Sequence, residues 1–268
     1  MQLLHLIVGT VWLRPYVFAF LGVYLLLATP AWGWRRTAVY TSSGYFLAWL
    51  AEYSSTHNGF PFGYYVYHPE STIQNEIWVA GVPFMDSLSF VFLTFGGMQT
   101  ARLIVECVQQ NSNQAWDLRW ENNSNPLKPK TIFLAGLLTM GLDIVIDPLS
   151  LRGDRWFLGQ IYHYPGGGIY FGVPISNFSG WAFLSWAIIG TFAVLDRKFL
   201  APVMGPWRSY PGDALWGSGL FLSILLFNLT VTFAIGEVLL GILGICWTFI
   251  LTAPALIKVI HAKSSRSI

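Results

Sequence analysis

Seven apolar segments dominate the chain and leave it few ways to fold. They run over about 16–32, 37–53, 82–105, 131–149, 177–195, 215–235 and 238–257. Each is close to the length an α-helix needs to cross a bilayer's hydrocarbon core. In lipid a segment must satisfy its own backbone hydrogen bonds, which points to helices. Composition agrees: 54% of the 268 residues are hydrophobic and 10% are charged, against about 25% charged in a soluble domain. Mean hydropathy is +0.52. The expected fold is an all-α integral membrane protein, a bundle of about seven transmembrane helices in a single polytopic domain over residues 1–268. Arg14-Pro15 interrupts the first apolar region, so a short interfacial segment is expected before the first span. That region lacks a basic start and a clear small-residue cleavage site, and reads as a retained anchor.

The Lys and Arg distribution sets the orientation. With seven spans and a cytoplasmic C-terminus, only Arg14, Arg152 and Arg155 of the fifteen basic residues fall outside. This places the protein in the cell membrane with its N-terminus outside. It also gathers most of the unusual ionisable residues at the outer face: Glu52, Asp86, Asp143, Asp147 and Glu237, with His57, His68 and His163 in two polar outer loops. Asp196 is the exception, at the inner end of the fifth span. The stretch 109–130 is the most polar and reads as an aqueous loop. There is no basic run, so the expected surroundings are lipid and not nucleic acid.

Asp143 and Asp147 stand four residues apart, so a helix puts both carboxylates on one face, one turn apart. Carboxylates facing lipid would be costly, which turns both towards the bundle interior. Pro148 follows at once and opposes further helix. Such a pair can hold a divalent cation against a diphosphate. It can also act as an acid and its partner, because two close carboxylates do not both ionise cheaply. A structural alternative has Asp147 capping the next turn and paired to Arg152 or Arg155. Glu52 with His57 could orient water or move a proton, or Glu52 could simply reach for water at a helix end. Asp86 sits at a helix N-terminus, where the dipole favours a carboxylate without any chemistry. Glu237 follows Gly236 in a tight hairpin and reads as a turn residue. His163 is equally a site residue or a solvated loop histidine.

Several chemistries lack their residues. Five scattered histidines make no histidine boxes. Lys258 lies at the end of the last span, so no central lysine is available for a retinal Schiff base. There is no G-x-G-x-x-G, Walker, G-x-S-x-G or C-x-x-C pattern. Cys107 and Cys246 lie in apolar helical context and form neither a metal pattern nor a disulfide framework. Acid–base chemistry without a cofactor or metal, or transport, remains.

Four segments carry a resemblance. They are Ala51-Glu52-Tyr53-Ser-Ser-Thr-His57-Asn-Gly-Phe-Pro-Phe-Gly-Tyr64-Tyr65, then Val82-Pro-Phe-Met-Asp86, then Asp143-x3-Asp147-Pro148, and Tyr164-Pro-Gly-Gly-Gly-x-Tyr170 continuing to Trp181. In these the sequence resembles the membrane carotenoid 1′,2′-hydratases, which hydrate the ψ-ends of γ-carotene or bisanhydrobacterioruberin. The resemblance implies a carotenoid substrate ending in an isopropylidene group and a multi-pass membrane enzyme of hydro-lyase type. Hydration would place a proton on C-2′, leave a tertiary cation at C-1′, and capture water there. That requires a carboxylic acid that keeps its proton, aromatic faces to steady the cation, an ordered water held by a base, and an apolar groove.

On the residues themselves, Asp143 or Asp147 is then the general acid. Glu52 and His57, with Asp86, hold water and take its proton. Tyr64, Tyr65, His163, Tyr170, Trp181 and Arg152 are placed at the substrate. Two alternatives stand beside this reading. One is a membrane prenyltransferase or terpene cyclase using the aspartates for Mg²⁺, although no second aspartate-rich motif is found. The other is a proton-coupled transporter or pigment-binding protein, for which an inverted repeat would be the signature; none is visible. The sequence carries no signal for oligomeric state.

Overall fold

A computed structural model describes residues 2–106, 108–110, 114, 116–120 and 127–264. The helices are α1 (Gln2–Leu13), α2 (Pro15–Trp32), α3 (Trp34–Asn58), α4 (Phe84–Val105), α5 (Pro129–Ser150), α6 (Ile175–Leu195), α7 (Ala201–Met204), α8 (Asp213–Ala234) and α9 (Val238–Ser264). A π-helical turn, Asp196–Leu200, joins α6 to α7. Among the described residues, six stretches are long and apolar enough to cross a membrane: α2, α4, α5, α8, most of α9 and the run Ile175–Met204. The protein is thus an all-α, multi-pass membrane type. The seventh expected span is α3, whose 25 residues reach far enough. Its Arg35, Arg36 and serine–threonine content make it too polar to count by apolarity alone.

That polarity is met inside the bundle. Arg36 is buried and its Nε donates to Asp196 Oδ1 at 2.6 Å, while Trp207 Nε1 donates to Asp196 Oδ2 at 3.0 Å. Asp196, isolated in the sequence, therefore ties α6 to α3. Helix α4 is central, with 83% of its span buried against 28% for α2 and 33% for α9. It packs on α3, α5 and α8. Gly97 permits the contact with α5, where a Cβ would collide with Thr139, and a Cβ at Gly96 would only touch the Phe221 backbone of α8. Small residues let helix backbones approach closely where lipid supplies no hydrophobic drive.

The sequence places the end of this span at 149, just past Pro148, and the helix ends at Ser150. The proline sits in the last turn, where its missing N–H removes one bond, and Leu151 N–H still closes on Asp147 O at 3.0 Å. The short first helix α1 is docked through Thr10, whose hydroxyl accepts from Ile77 N–H at 2.9 Å. At the α1–α2 junction, Arg14 is fully buried. Its guanidinium donates to both oxygens of Glu76, at 3.1 and 3.2 Å, and to Leu158 O at 2.5 Å. One side chain thereby fastens the loops that carry Glu76 and Leu158 to the start of α2.

Among the described residues, the connections carry three antiparallel ribbons: β1 (Val66–Tyr67) with β6 (Tyr162–His163), β2 (Trp78–Val79) with β3 (Val82–Pro83), and β4 (Val108–Gln110) with β5 (Leu118–Trp120). The first joins the two polar loops flagged in the sequence. The third lies in the stretch expected to be a loop, much of which, together with Cys107, falls outside the described residues. Cys246 is exposed on α9.

Candidate active site

The acids of three helices converge on one cavity. Glu52 near the end of α3, Asp86 at the start of α4 and Asp147 near the end of α5 all line it, with Asn177 of α6 beside them. The cavity encloses about 910 Å³ of empty space, counting its open mouth. Phe62, Tyr65, Phe90 and Trp181 form an aromatic wall next to the acids, and the Phe90 and Trp181 rings lie 4.4 Å apart. Further along, Phe20, Phe92, Leu93, Ile224 and Phe227 make the lining apolar. Phe92 is six residues beyond Asp86, about 9 Å deeper along α4.

The β1–β6 ribbon supplies hydroxyl donors to these acids. Tyr67 donates to Glu52 Oε2 at 2.8 Å and to Asp86 Oδ2 at 2.9 Å. A phenol has one proton to give, so these two contacts share a single proton between two carboxyl groups. Tyr65 also donates to Glu52 Oε2. Across the ribbon, Tyr162 donates to Asp147 Oδ1 and Tyr164 to Asp147 Oδ2 at 3.2 Å. Burial pushes the phenols of Tyr67, Tyr162 and Tyr164 well above their ordinary range, and the carboxyl groups beside them push the same way. They are therefore hydroxyl donors at neutral pH.

Asn177 divides its amide between the two aspartates. Its Nδ2 donates to Asp143 Oδ2 at 2.6 Å and to Asp147 Oδ2 at 3.0 Å. Three side chains thus reach Asp147. Asp143 has no exposed surface, does not line the cavity, and leaves its buried Oδ1 without a hydrogen-bond partner. An unpartnered polar atom in such a place is costly.

Of the residues singled out in the sequence, the fold brings Glu52, Asp86, Asp147, Tyr65 and Trp181 around the cavity, with Asp143 directly behind. The others lie elsewhere. His57 is exposed, stacked on Tyr53 at 4.1 Å and bonded through Nδ1 to Tyr53 O at 2.7 Å. Tyr64 is exposed. Tyr170 turns back on Phe171 and Phe178. His163 faces His68, Nδ1 to Nε2 at 2.9 Å, and does not line the cavity. Arg152 pairs with Glu237 in the α8–α9 hairpin, Nε to Oε1 at 2.9 Å, and Arg155 joins the same carboxylate. This corrects the structural alternative for Asp147, whose side-chain partners are tyrosines and an asparagine rather than these arginines.

Tyr67, Tyr162, Tyr164 and Asn177 received no role from the sequence. A signal was present in the spacing: Tyr65-x-Tyr67 and Tyr162-x-Tyr164 put alternate hydroxyls on one face of an extended strand. Among the described residues, no three His, Cys, Asp or Glu side chains are grouped so as to hold a metal ion. In comparison with known proteins, the carotenoid biosynthesis protein family matches residues 2–252. No curated protein and no solved structure matches.

Proposed function

Since the chain belongs to the carotenoid biosynthesis protein family, we propose that it hydrates the terminal 1′,2′ double bond of an acyclic ψ-end carotenoid to a tertiary 1′-alcohol. The observation that carries this reading is the meeting of Glu52, Asp86 and Asp147 on one cavity whose remaining lining is largely aromatic and aliphatic. An acid, a base and an apolar chamber are what alkene hydration asks for.

In this mechanism Asp147, the aspartate that reaches the cavity, gives its proton to C-2′. The C=C π electrons form the new C–H bond and C-1′ becomes a tertiary cation. Trp181, Phe90 and Tyr65 present ring faces to that charge. A water held by Glu52 and Asp86 adds its oxygen to C-1′ and loses a proton into the network that Tyr67 shares between them. Asp143, reached through Asn177, lies behind the donor and positions the amide that bonds both aspartates. His57, Tyr64, His163, Tyr170 and Arg152 take no direct part. We place the β1–β6 ribbon at the outer face and the C-terminus in the cytoplasm, following the Lys and Arg bias, with the whole chain acting as one polytopic unit.

The test is pigment analysis in a host that makes lycopene or γ-carotene. A product heavier by one water with unchanged polyene absorption is expected. A second host making bisanhydrobacterioruberin separates C40 from C50 specificity, and the number of waters added shows whether one end or both react. Unchanged pigment in all hosts overturns the reading. Diphosphate release with Mg²⁺ dependence would instead favour prenyl transfer.

A further inference from the structure

We propose that the polyene reaches the acids from within the bilayer, ψ-end first, through an aromatic portal between α2 and α8 formed by Tyr16, Phe20, Trp156 and Phe227. This rests on the carotenoid reading above. All four side chains line the cavity and are themselves only half-buried. One layer of rings therefore separates the chamber from the protein's flank. The rings lean on one another: Tyr16 and Phe227 stack at 5.2 Å, Phe20 meets Phe227 edge-on at 5.8 Å, and Tyr16 lies 6.2 Å from Trp156. Outside this layer the neighbouring side chains Val23, Leu226 and Phe157 are exposed and apolar, a surface suited to lipid tails and not to water.

The opposite side of the chamber offers no such path. There the hydroxyls of Tyr65, Tyr67, Tyr162 and Tyr164 are bonded to carboxylates, and moving them aside would strip those acids of their donors. Nor does a carotenoid have reason to cross water, because its apolar length is most stable in hydrocarbon. On the α2 side, displacing the ring layer breaks no hydrogen bond between a ring and an acid. Helix α2 is also the least buried of the six spans; Arg14 anchors its first turn, which carries Tyr16, and Phe20 lies one turn further on. The portal selects by shape. It passes a thin, flat chain and obstructs a cyclised or bulky end.

Two readouts test the portal in the full-length protein in membranes. For the first, Phe20→Cys and Phe227→Cys are introduced with Cys107→Ser and Cys246→Ser, and the pair is bridged by a short bis-methanethiosulfonate, which forms a disulfide to each cysteine as methanesulfinate leaves. Bridging is expected to lower lycopene hydration at least tenfold, with recovery on reduction; full activity in the bridged protein overturns the portal. For the second, a photoreactive p-benzoylphenylalanine replaces Phe227 or, as a lipid-exposed control on α9, Phe249. Irradiation in lycopene-containing membranes should add the polyene mass at 227 and not at 249. This adduct does not depend on turnover. If the native protein hydrates nothing yet the adduct forms, the hydratase reading fails and the portal stands. If hydration occurs and position 227 captures no more polyene than 249, the portal is wrong. If the cysteine variant does not fold, the adduct alone decides.

Discussion

Tyr67 and Tyr162 are direct partners across the β1–β6 ribbon, and their hydroxyls serve different acids: Tyr67 bonds Glu52 and Asp86, and Tyr162 bonds Asp147. A two-residue ribbon thus sets the spacing between carboxyl groups carried by three separate helices. Tyr67→Phe keeps the ring and removes the one proton shared by Glu52 and Asp86. A hydrogen bond to a charged group contributes about 1.5–3 kcal/mol, so turnover should fall about ten- to hundredfold. The purified variant should keep its helical signal. Undiminished turnover would show that the shared proton has no role in capturing water.

Asp147→Asn removes the acid that reaches the cavity while keeping its size, and leaves one accepting oxygen where the carboxyl group offers two to Tyr162, Tyr164 and Asn177. General acid catalysis contributes typically about 10²–10⁴-fold, and a loss in that range is expected with protein still folded in the membrane. Asp143→Asn should cost less, because Asp143 acts on the cavity only through Asn177. Full hydratase activity in both variants would remove the aspartates from the mechanism. A larger loss at Asp143 than at Asp147 would reverse the order assigned here.

The bundle was legible because lipid imposes a simple rule, and apolar length reported α2, α4, α5, α6, α8 and α9 directly. Helix α3 was legible despite its polarity, because Glu52 and the arginines bracket it. Asp143, Asp147 and Glu52 stood out since acids are rare in such segments. The partners of these acids did not stand out. Tyr67 and Tyr162 are 95 residues apart, and nothing local says that two loops pair. His57 and Tyr64 looked well placed by proximity to Glu52. The end of α3 sends His57 onto Tyr53 and leaves Tyr64 exposed, while alternation turns Tyr65 and Tyr67 inward. Arg14 read as an interruption of the first span, and its partner Glu76 lies in a different loop.

The Arg14–Glu76 pair is completely buried. Breaking such a pair from one side leaves an uncompensated charge, at a cost of about 3–5 kcal/mol. Arg14→Ala should therefore lower thermal stability sharply in detergent, and Glu76→Gln should act in the same direction. Replacing both at once, with Arg14→Met and Glu76→Leu, should recover much of the loss, since no charge is then stranded. Were the single and double variants equally unstable, the contact from Arg14 to Leu158 O would be the part that matters.

Glu237 supplies a pH dependence whose sign follows from its partners. Hydrogen bonds from Arg152, with that cation's charge and the added contacts of Arg155, hold its carboxyl below the usual carboxylate range. A group whose folded-state value is depressed contributes stability above its unfolded value, near 4.3 for a glutamate. That contribution fades as pH falls through the folded value. The native protein should thus lose part of its thermal stability on the acid side of about pH 4.3, as the α8–α9 hairpin releases the loop that carries Arg152 and Arg155. Glu237→Gln should be less stable than the native protein at neutral pH, and the difference between the two should shrink on acidification. Melting temperatures of both proteins measured from neutral to acid pH check this. A gap that stays constant or widens towards acid would mean that the two arginines do not hold the carboxylate in its charged form.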